Sequence, residues 1–397
     1  MNNEKKYVFD SIQRSDDSPK KNIESYFQFY NRSSRKEIDR VRVLIEDFIS
    51  RFPKKEVKEL IDRIHSGDDI HFKSATFELF LHEALLRQNF KLTPHPTLPN
   101  ENRSKPDFLV RGTDGAEFYL EAVLATENNN VDLSGEKRKG AVLDTLRSNP
   151  HDNFLLEIED EGYPSSQPSG KKLVRKIHNW LDALNPDEIQ DKIDENGLDS
   201  VEQLLWSHEN WDVLFRPIPL KPEKRTKSKN LIAISGIGGG WVDHWSPIRD
   251  AIKFKGTKYG TLGKPFIIAV NMNSFYLSKI DEMQALFGQE QFIFQEGNSG
   301  GEPIMERAPN GAWYGKKGPQ YTRVSGLWIF NDLHPTSLPD RKQTIYYNPW
   351  AKHPLPDSLK CFPHAILNKS KGKMRWEEGI SFKELFDLNE GWPELCP

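Results

Sequence analysis

Residues 106–125, PDFLVRGTDGAEFYLEAVLA, hold two strands and the turn between them. Pro106 to Arg111 has strand character, Gly112-Thr113-Asp114-Gly115 supplies hairpin-turn chemistry, and Glu117 to Ala125 is the returning strand. Two acids interrupt these apolar runs. Asp107 opens the first strand, and Glu121 sits between Leu120 and Ala122 in the second. A turn centred near Gly112–Gly115 predicts the two carboxylates close to opposite, within ~5 Å at Cβ. Just upstream, Ser74 to Gln88 reads as an apolar-rich helix with Phe77, Phe80, Leu81, Ala84 and Leu85 on one face, and Glu78 lies on the border of that face. A carboxylate carried into an apolar environment needs a cation, a hydrogen-bond donor or a metal ion. Three such acids converging form an oxygen-rich site suited to a hard cation, Mg²⁺ first and Mn²⁺ as its substitute.

The flanking chain extends the pattern. Ile38, Val41, Leu44, Ile45, Phe48 and Ile49 recur at helical steps, Pro53 breaks the run, and a second helix covers Glu56 to His65. A strand is predicted at 90–93, a basic amphipathic helix at 136–146 and a short strand at 154–158. The order from residue 74 is therefore helix, three strands, helix, strand. Further strands are predicted at 211–218, 231–235, 265–271 and 324–330, with Pro265–Asn271 a candidate to extend the same sheet. This organisation predicts a polar N-terminus and helical arm over 1–65, a core over 66–185 and an α+β region over 186–397.

Composition limits the function classes. The 397 residues carry 55 Lys+Arg against 58 Asp+Glu, for a formal charge of -3, so nucleic-acid contact has to come from local clusters. The clusters exist: Lys137, Arg138 and Lys139; Lys171, Lys172, Arg175 and Lys176; Lys221, Lys224, Arg225, Lys227 and Lys229; Lys253, Lys255 and Lys258. Two cysteines, Cys361 and Cys396, exclude a disulfide scaffold and a cysteine-rich zinc module. No run of ~18 apolar residues suits a membrane span, and the N-terminal residues lack the apolar core of a secretory signal, so a cytoplasmic protein is expected.

The layout resembles the PD-(D/E)xK nuclease superfamily, the restriction-endonuclease-like α/β fold with an αβββαβ core and a mixed central sheet. The matching residues are Glu78 in FELFLHEALLRQNF, Pro106-Asp107 in PDFLV and Glu121-Ala122-Val123 in YLEAV, within roughly residues 70–160. The resemblance implies an Mg²⁺-dependent endonuclease acting on nucleic acid, with DNA expected. Asp107, Glu121, the Ala122 carbonyl and Glu78 would surround the metal. Bacterial restriction, antiviral defence or repair is the implied setting, and a homodimer would suit double-strand cleavage.

One position departs from the family pattern. The family's lysine, two residues after the strand acid, is Val123 here, and valine can neither position a nucleophile nor offset developing charge. Lys139, on the inward edge of the basic helix, is the expected substitute. Lys137, Arg138, Lys171, Lys172, Arg175, Lys253, Lys255 and Lys258 are the expected phosphate contacts. The missing lysine also allows a second reading, a catalytically silent nucleic-acid-binding module. A Gly-rich run, Ser235-Gly236-Ile237-Gly238-Gly239-Gly240, reads as a loop, because Trp241 stands where a dinucleotide-binding glycine is needed. Trp313-Tyr314-Gly315-Lys316-Lys317 interleaves aromatic and basic groups as base-stacking surfaces do. His82, one turn after Glu78, is a candidate supporting partner of that acid.

Overall fold

The hairpin closes around its glycines. Gly112 N–H donates to the Ala116 carbonyl at 2.8 Å, Gly115 takes a φ of +81°, and Asp114 Oδ1 accepts from Ala116 N–H. The computed structural model describes residues 7–100, 103–126, 132–237, 243–274, 277–293, 304–368 and 373–394. In chain order the helices are α1 (Tyr26–Arg32), α2 (Lys36–Arg51), α3 (Val57–His65), α4 (Asp69–Arg87), α5 (Leu133–Arg147), α6 (Gly170–Asp182), α7 (Pro186–Asn196), α8 (Trp245–Lys258), α9 (Lys279–Phe287) and α10 (Phe382–Phe386). The first seven strands are β1 (Lys91–Pro94), β2 (Phe108–Arg111), β3 (Glu117–Thr126), β4 (Phe154–Gly162), β5 (Leu204–His208), β6 (Trp211–Pro219) and β7 (Ile232–Ile237). They are followed by β8 (Phe266–Asn273), β9 (Glu290–Ile293), β10 (Ile304–Arg307), β11 (Tyr314–Gly315), β12 (Gly318–Pro319), β13 (Gly326–Asn331), β14 (Gln343–Tyr347), β15 (His364–Asn368) and β16 (Lys373–Glu377). No helix among the described residues is long and apolar enough to cross a membrane.

The chain divides into two compact units, one of Met1–Ser18, Tyr26–Glu127 and Val242–Pro397, the other of Pro19–Ser25 and Asn128–Trp241. The first is built on an eight-stranded mixed sheet in the order β1-β2-β3-β8-β13-β14-β15-β16. Strands β1, β2 and β3 are antiparallel, and β8 lies parallel to both β3 and β13. Side chains alternate across the sheet. Phe108, Val110, Phe118, Leu120, Ile267, Ala269 and Trp328 pack on one face with α2, α3 and α4. Tyr119, Ile268, Val270, Leu327 and Tyr346 pack on the other with Ile248 and Ile252 of α8 and Leu286 of α9. The second unit has a four-stranded sheet, β5-β6-β4-β7, whose core joins Val142 and Leu146 of α5, Leu173, Ile177 and Leu181 of α6, and Trp211.

Two expectations are corrected. The N-terminal helices are not a separate arm, since Ile45, Phe48, Leu60 and Ile64 belong to the same core as α4 and the sheet. The helix at 136–146 and the strand at 154–158 do not complete the first sheet, so the unit boundaries fall near 127 and 242 rather than at 65 and 185. Instead α8 makes the crossover, and β8 takes the place beside β3. The physical reason is legible in burial. A parallel strand covered on both faces needs an unbroken apolar run, which Phe266 to Val270 supply, all of them buried. Strand β4 alternates, with Leu156 and Ile158 inward and Glu157, Glu159 and Glu161 on the other side, which suits a sheet covered on one face.

Strand β8 therefore anchors the first unit. Ile267→Ala is expected to destabilise the chain by about 2–5 kcal/mol, whereas Ile280→Ala, at a side chain 58% exposed on α9, should stay within about 0.5 kcal/mol. Urea unfolding of the two variants separates them, and equal losses would contradict the assignment of β8 to the core.

Candidate active site

The register of the hairpin sets the two acids. Phe108 pairs with Leu120 and Leu109 with Tyr119; Asp107 is the residue just before β2, and Glu121 the one just after Leu120 in β3. Asp107 Oδ2 accepts the Ala122 N–H at 2.6 Å, and its main-chain carbonyl accepts from His95 N–H at 2.9 Å. Oδ1 has no hydrogen-bond partner among the described residues. Glu121 is only 2% exposed and shares the α8 side of the sheet with Tyr119.

Three groups from the end of α8 converge on Glu121. Lys255 Nζ lies 2.5 Å from Oε1, Lys258 Nζ 3.6 Å from the same oxygen, and the Tyr259 hydroxyl donates to Oε2 at 2.5 Å. Tyr259 Oη also lies 3.2 Å from the Lys105 carbonyl. Positions 255, 258 and 259 share one helix face at steps of three and four. Gly256 lets that face come close, because a Cβ there would meet Val324 Cγ2 at 2.9 Å and Tyr321 Cδ1 at 3.1 Å.

Glu78 projects from α4 and is buried, its carboxylate bonded to the Arg63 guanidinium of α3. Arg63 Nε also lies 3.4 Å from Glu59, and Glu59 lies 3.4 Å from His95 Nε2. Oxygens of Glu56 and Glu59 and a ring nitrogen of His95 stand within 4.8 Å of one another, so a second polar cluster adjoins the first through Arg63.

Burial, then the neighbouring charges of Glu121 and Glu78, push the Asp107 carboxyl well above its ordinary range, against the opposing Ala122 N–H and Lys255. Burial likewise raises Glu78, opposed mainly by Arg63. Burial and then the Glu121 charge hold the Tyr259 phenol well above its usual value, so it stays a donor. Three acids and three cations thus occupy one polar region of an otherwise apolar unit.

Lys139, the expected substitute cation, belongs to α5 in the second unit. Its amine is held by Asp160 at 2.5 Å and lies over the Tyr163 ring, inside the second unit. The reason is that α5 packs on the second sheet. Lys137, Arg138, Lys171, Lys172 and Arg175 belong to α5 and α6 of that same unit, and Lys253 sits half-exposed on α8. Ala122 follows Glu121 in β3, and it is its N–H that contacts Asp107. His82 packs against Phe52 and Phe108, and burial lowers its pKa to about 4, so it is a neutral packing group. Trp313 is fully buried, which leaves Tyr314 alone of that pair for stacking. Gly238 to Trp241 and Cys396 lie outside the described residues. Sequence reasoning missed Arg63 and Tyr259, and it placed Lys255 and Lys258 only among phosphate contacts. The available signal was the 255, 258, 259 spacing at the end of a helix that precedes a fully apolar strand.

Comparison with protein-family profiles, with curated proteins and with solved structures finds no match for this chain.

Because the folded chain holds the Asp107 proton more tightly than the unfolded chain, stability falls as pH rises from about 3.9 through the folded pKa. Above that value the whole cost of the charge is present. Asp107→Asn keeps the acceptor for Ala122 N–H and removes the charge. It is expected to raise Tm at pH 7.5 by about 2 °C, the scale of ~1 kcal/mol in a chain of this size, with the gain shrinking as pH falls toward 4. A Tm at pH 7.5 equal to or below wild type would contradict this electrostatic picture.

Proposed function

We propose that the chain is a metal-dependent nuclease that hydrolyses phosphodiester bonds in nucleic acid, with DNA as the substrate, on a restriction-endonuclease-like core interrupted by the second unit. The single observation that carries this reading is the convergence of Asp107, Glu121 and Lys255. Two acids belong to one hairpin, Asp107 just before β2 and Glu121 within β3, and a lysine from the crossover helix meets the second acid. On this reading α4, β1, β2, β3, α8 and β8 are the αβββαβ elements, and residues 128–241 are inserted between β3 and α8. Lys255 then supplies the cation that Val123 lacks, which offsets the argument for a silent binding module.

The donors fit a hard divalent cation. Asp107 offers Oδ1, and Glu121 offers about four acceptor positions, of which Lys255 and Tyr259 take two while Lys258 adds its charge at 3.6 Å. Asp107 and Glu121 would hold the metal together with the Ala122 carbonyl, while Glu78 remains with Arg63 and keeps negative charge nearby. A bound Mg²⁺ would polarise a phosphate oxygen and lower the pKa of water. Within the chain, Ala122 N–H fixes the Asp107 carboxylate and Tyr259 fixes the Glu121 carboxylate. Lys255 places a positive charge where a phosphorane-like transition state gathers negative charge, the kind of preorganised contact that costs ~10²–10³ in rate when removed.

Supercoiled plasmid, single-stranded DNA and RNA should be incubated with Mg²⁺, Mn²⁺ or EDTA. Cleavage is expected with either metal and not in EDTA. Asp107→Ala and Lys255→Met should each lower the rate about 10²-fold or more, while Lys139→Met stays within a few-fold of wild type. Unchanged cutting by the Asp107 variant, or no cutting of any substrate with either metal, would refute the proposal.

A further inference from the structure

The second unit carries a strip of cations that its own fold does not use. Pro19–Ser25 and residues 128–241 together hold 17 Lys+Arg against 20 Asp+Glu, so the unit is acidic as a whole. Twelve of the cations in 128–241 fall into two groups. Lys139, Lys192, Arg216 and Arg225 each meet a carboxylate, at Asp160, Glu202, Glu157 and Asp187 respectively. Lys171, Lys172, Arg175 and Lys176 on α6 are all exposed, and none forms an ion pair among the described residues. Lys137, Lys221, Lys224 and Lys229 are likewise exposed without an ion pair there.

These unpaired cations follow one line of contacts. The Gln167 amide, just before α6, donates to the Arg138 carbonyl beside Lys137 at 3.3 Å. Positions 171, 172, 175 and 176 then lie along the solvent side of α6, whose other side, Leu173, Ile177 and Leu181, is buried. Further along the helix, His178 meets the Asn149 carbonyl at 3.2 Å and the His151 ring at 5.3 Å. The next residues, Asp152 and Asn153, accept from Thr226 N–H at 2.9 Å and Leu220 N–H at 2.8 Å, and so seat the Lys221–Lys229 loop. The acids on the line are Glu136 beside Lys137, Asp152, Asp182, which is turned to His151 at 3.1 Å, and Glu223 in the loop, fewer than the cations they accompany.

We propose that this strip, centred on Lys171, Lys172, Arg175 and Lys176, is a contact surface for the phosphate backbone of a nucleic-acid duplex. The proposal rests on the reading of nucleic acid as substrate and gives the second unit the task of holding it. Closely spaced, unpaired, solvated cations complement a polymer that presents one phosphate per ~1.7 Å of duplex axis. A membrane surface is the poorer occupant, because the apolar side of α6 is spent in the core and offers nothing to insert. The contact carries no base readout of its own.

The test uses the full chain with Asp107→Asn, in EDTA, so that binding is read without cleavage. Fluorescence anisotropy with a 25-base-pair duplex is recorded from 50 to 300 mM KCl. Adding Lys171→Gln, Lys172→Gln, Arg175→Gln and Lys176→Gln together is expected to weaken Kd about tenfold or more at 100 mM. It should also reduce the slope of log K against log salt by about 3.6, near 0.9 for each of four lost phosphate contacts. Circular dichroism checks that the variant is folded. A control with Lys36, Lys54, Lys55 and Lys58 changed to Gln should keep the parent slope. An unchanged slope in the α6 variant overturns the proposal, as does tighter binding to phosphatidylserine vesicles or to an acidic peptide than to the duplex. If wild type cuts nucleic acid while the α6 variant binds like its parent, this surface assignment alone fails. If no nucleic acid is bound or cut, the substrate reading fails with it.

Discussion

A carboxylate taken almost wholly out of water has to have its charge met, and Glu121 is the residue around which the first unit satisfies that requirement. Its neighbours along β3 are core side chains, and the charge that acts on it from the other arm of the hairpin is a second acid, Asp107, rather than a base. Lys255, Lys258 and Tyr259 answer it from one helix end, where Gly256 leaves room for Val324 and Tyr321. A buried ion pair of this kind contributes little net stability, since desolvation offsets the attraction. Its persistence among apolar neighbours accords with a chemical role, and the raised pKa of Asp107 marks the same place as strained by charge.

The parallel placement of β8 beside β3 follows from the same constraint. A strand with both faces buried can stand next to Glu121 only if it brings no competing charge, and Ile267 to Val270 bring none. Helix α8 reaches β8 by a short connection, so the cations of one element and the apolar wall of the next arrive as a unit. The 128–241 segment enters between β3 and α8 and keeps a separate core built on Leu156, Ile158, Ile177 and Trp211. The inserted unit therefore leaves the sequence order of the site elements intact while separating Glu121 from Lys255 by 134 residues.

That separation explains what could be read from the sequence. The hairpin and its register depend on twenty consecutive residues, and local turn chemistry sufficed to place them. Glu78 was legible as an acid bordering an apolar helix face. The source of the cation was not, because helix α5 and strand β4 also supply a helix and a strand after β3, and Lys139 was the nearest inward-facing amine. The burial pattern was the discriminating clue. Alternating β4 fits a sheet covered on one face, and the unbroken apolar run of β8 fits a strand covered on both. Arg63 belongs to a helix read as a detached arm, so its bond to Glu78 was out of reach until α3 was seen packed in the same core.

The central claim is that Asp107 and Glu121 together hold a divalent cation. The most direct measurement is an anomalous difference map from crystals soaked in Mn²⁺. The account predicts a peak at coordination distance from both carboxylates, with Lys255 moved off Glu121 Oε1. A peak confined to Glu56, Glu59 and His95, or none with Lys255 still on Glu121, would contradict it.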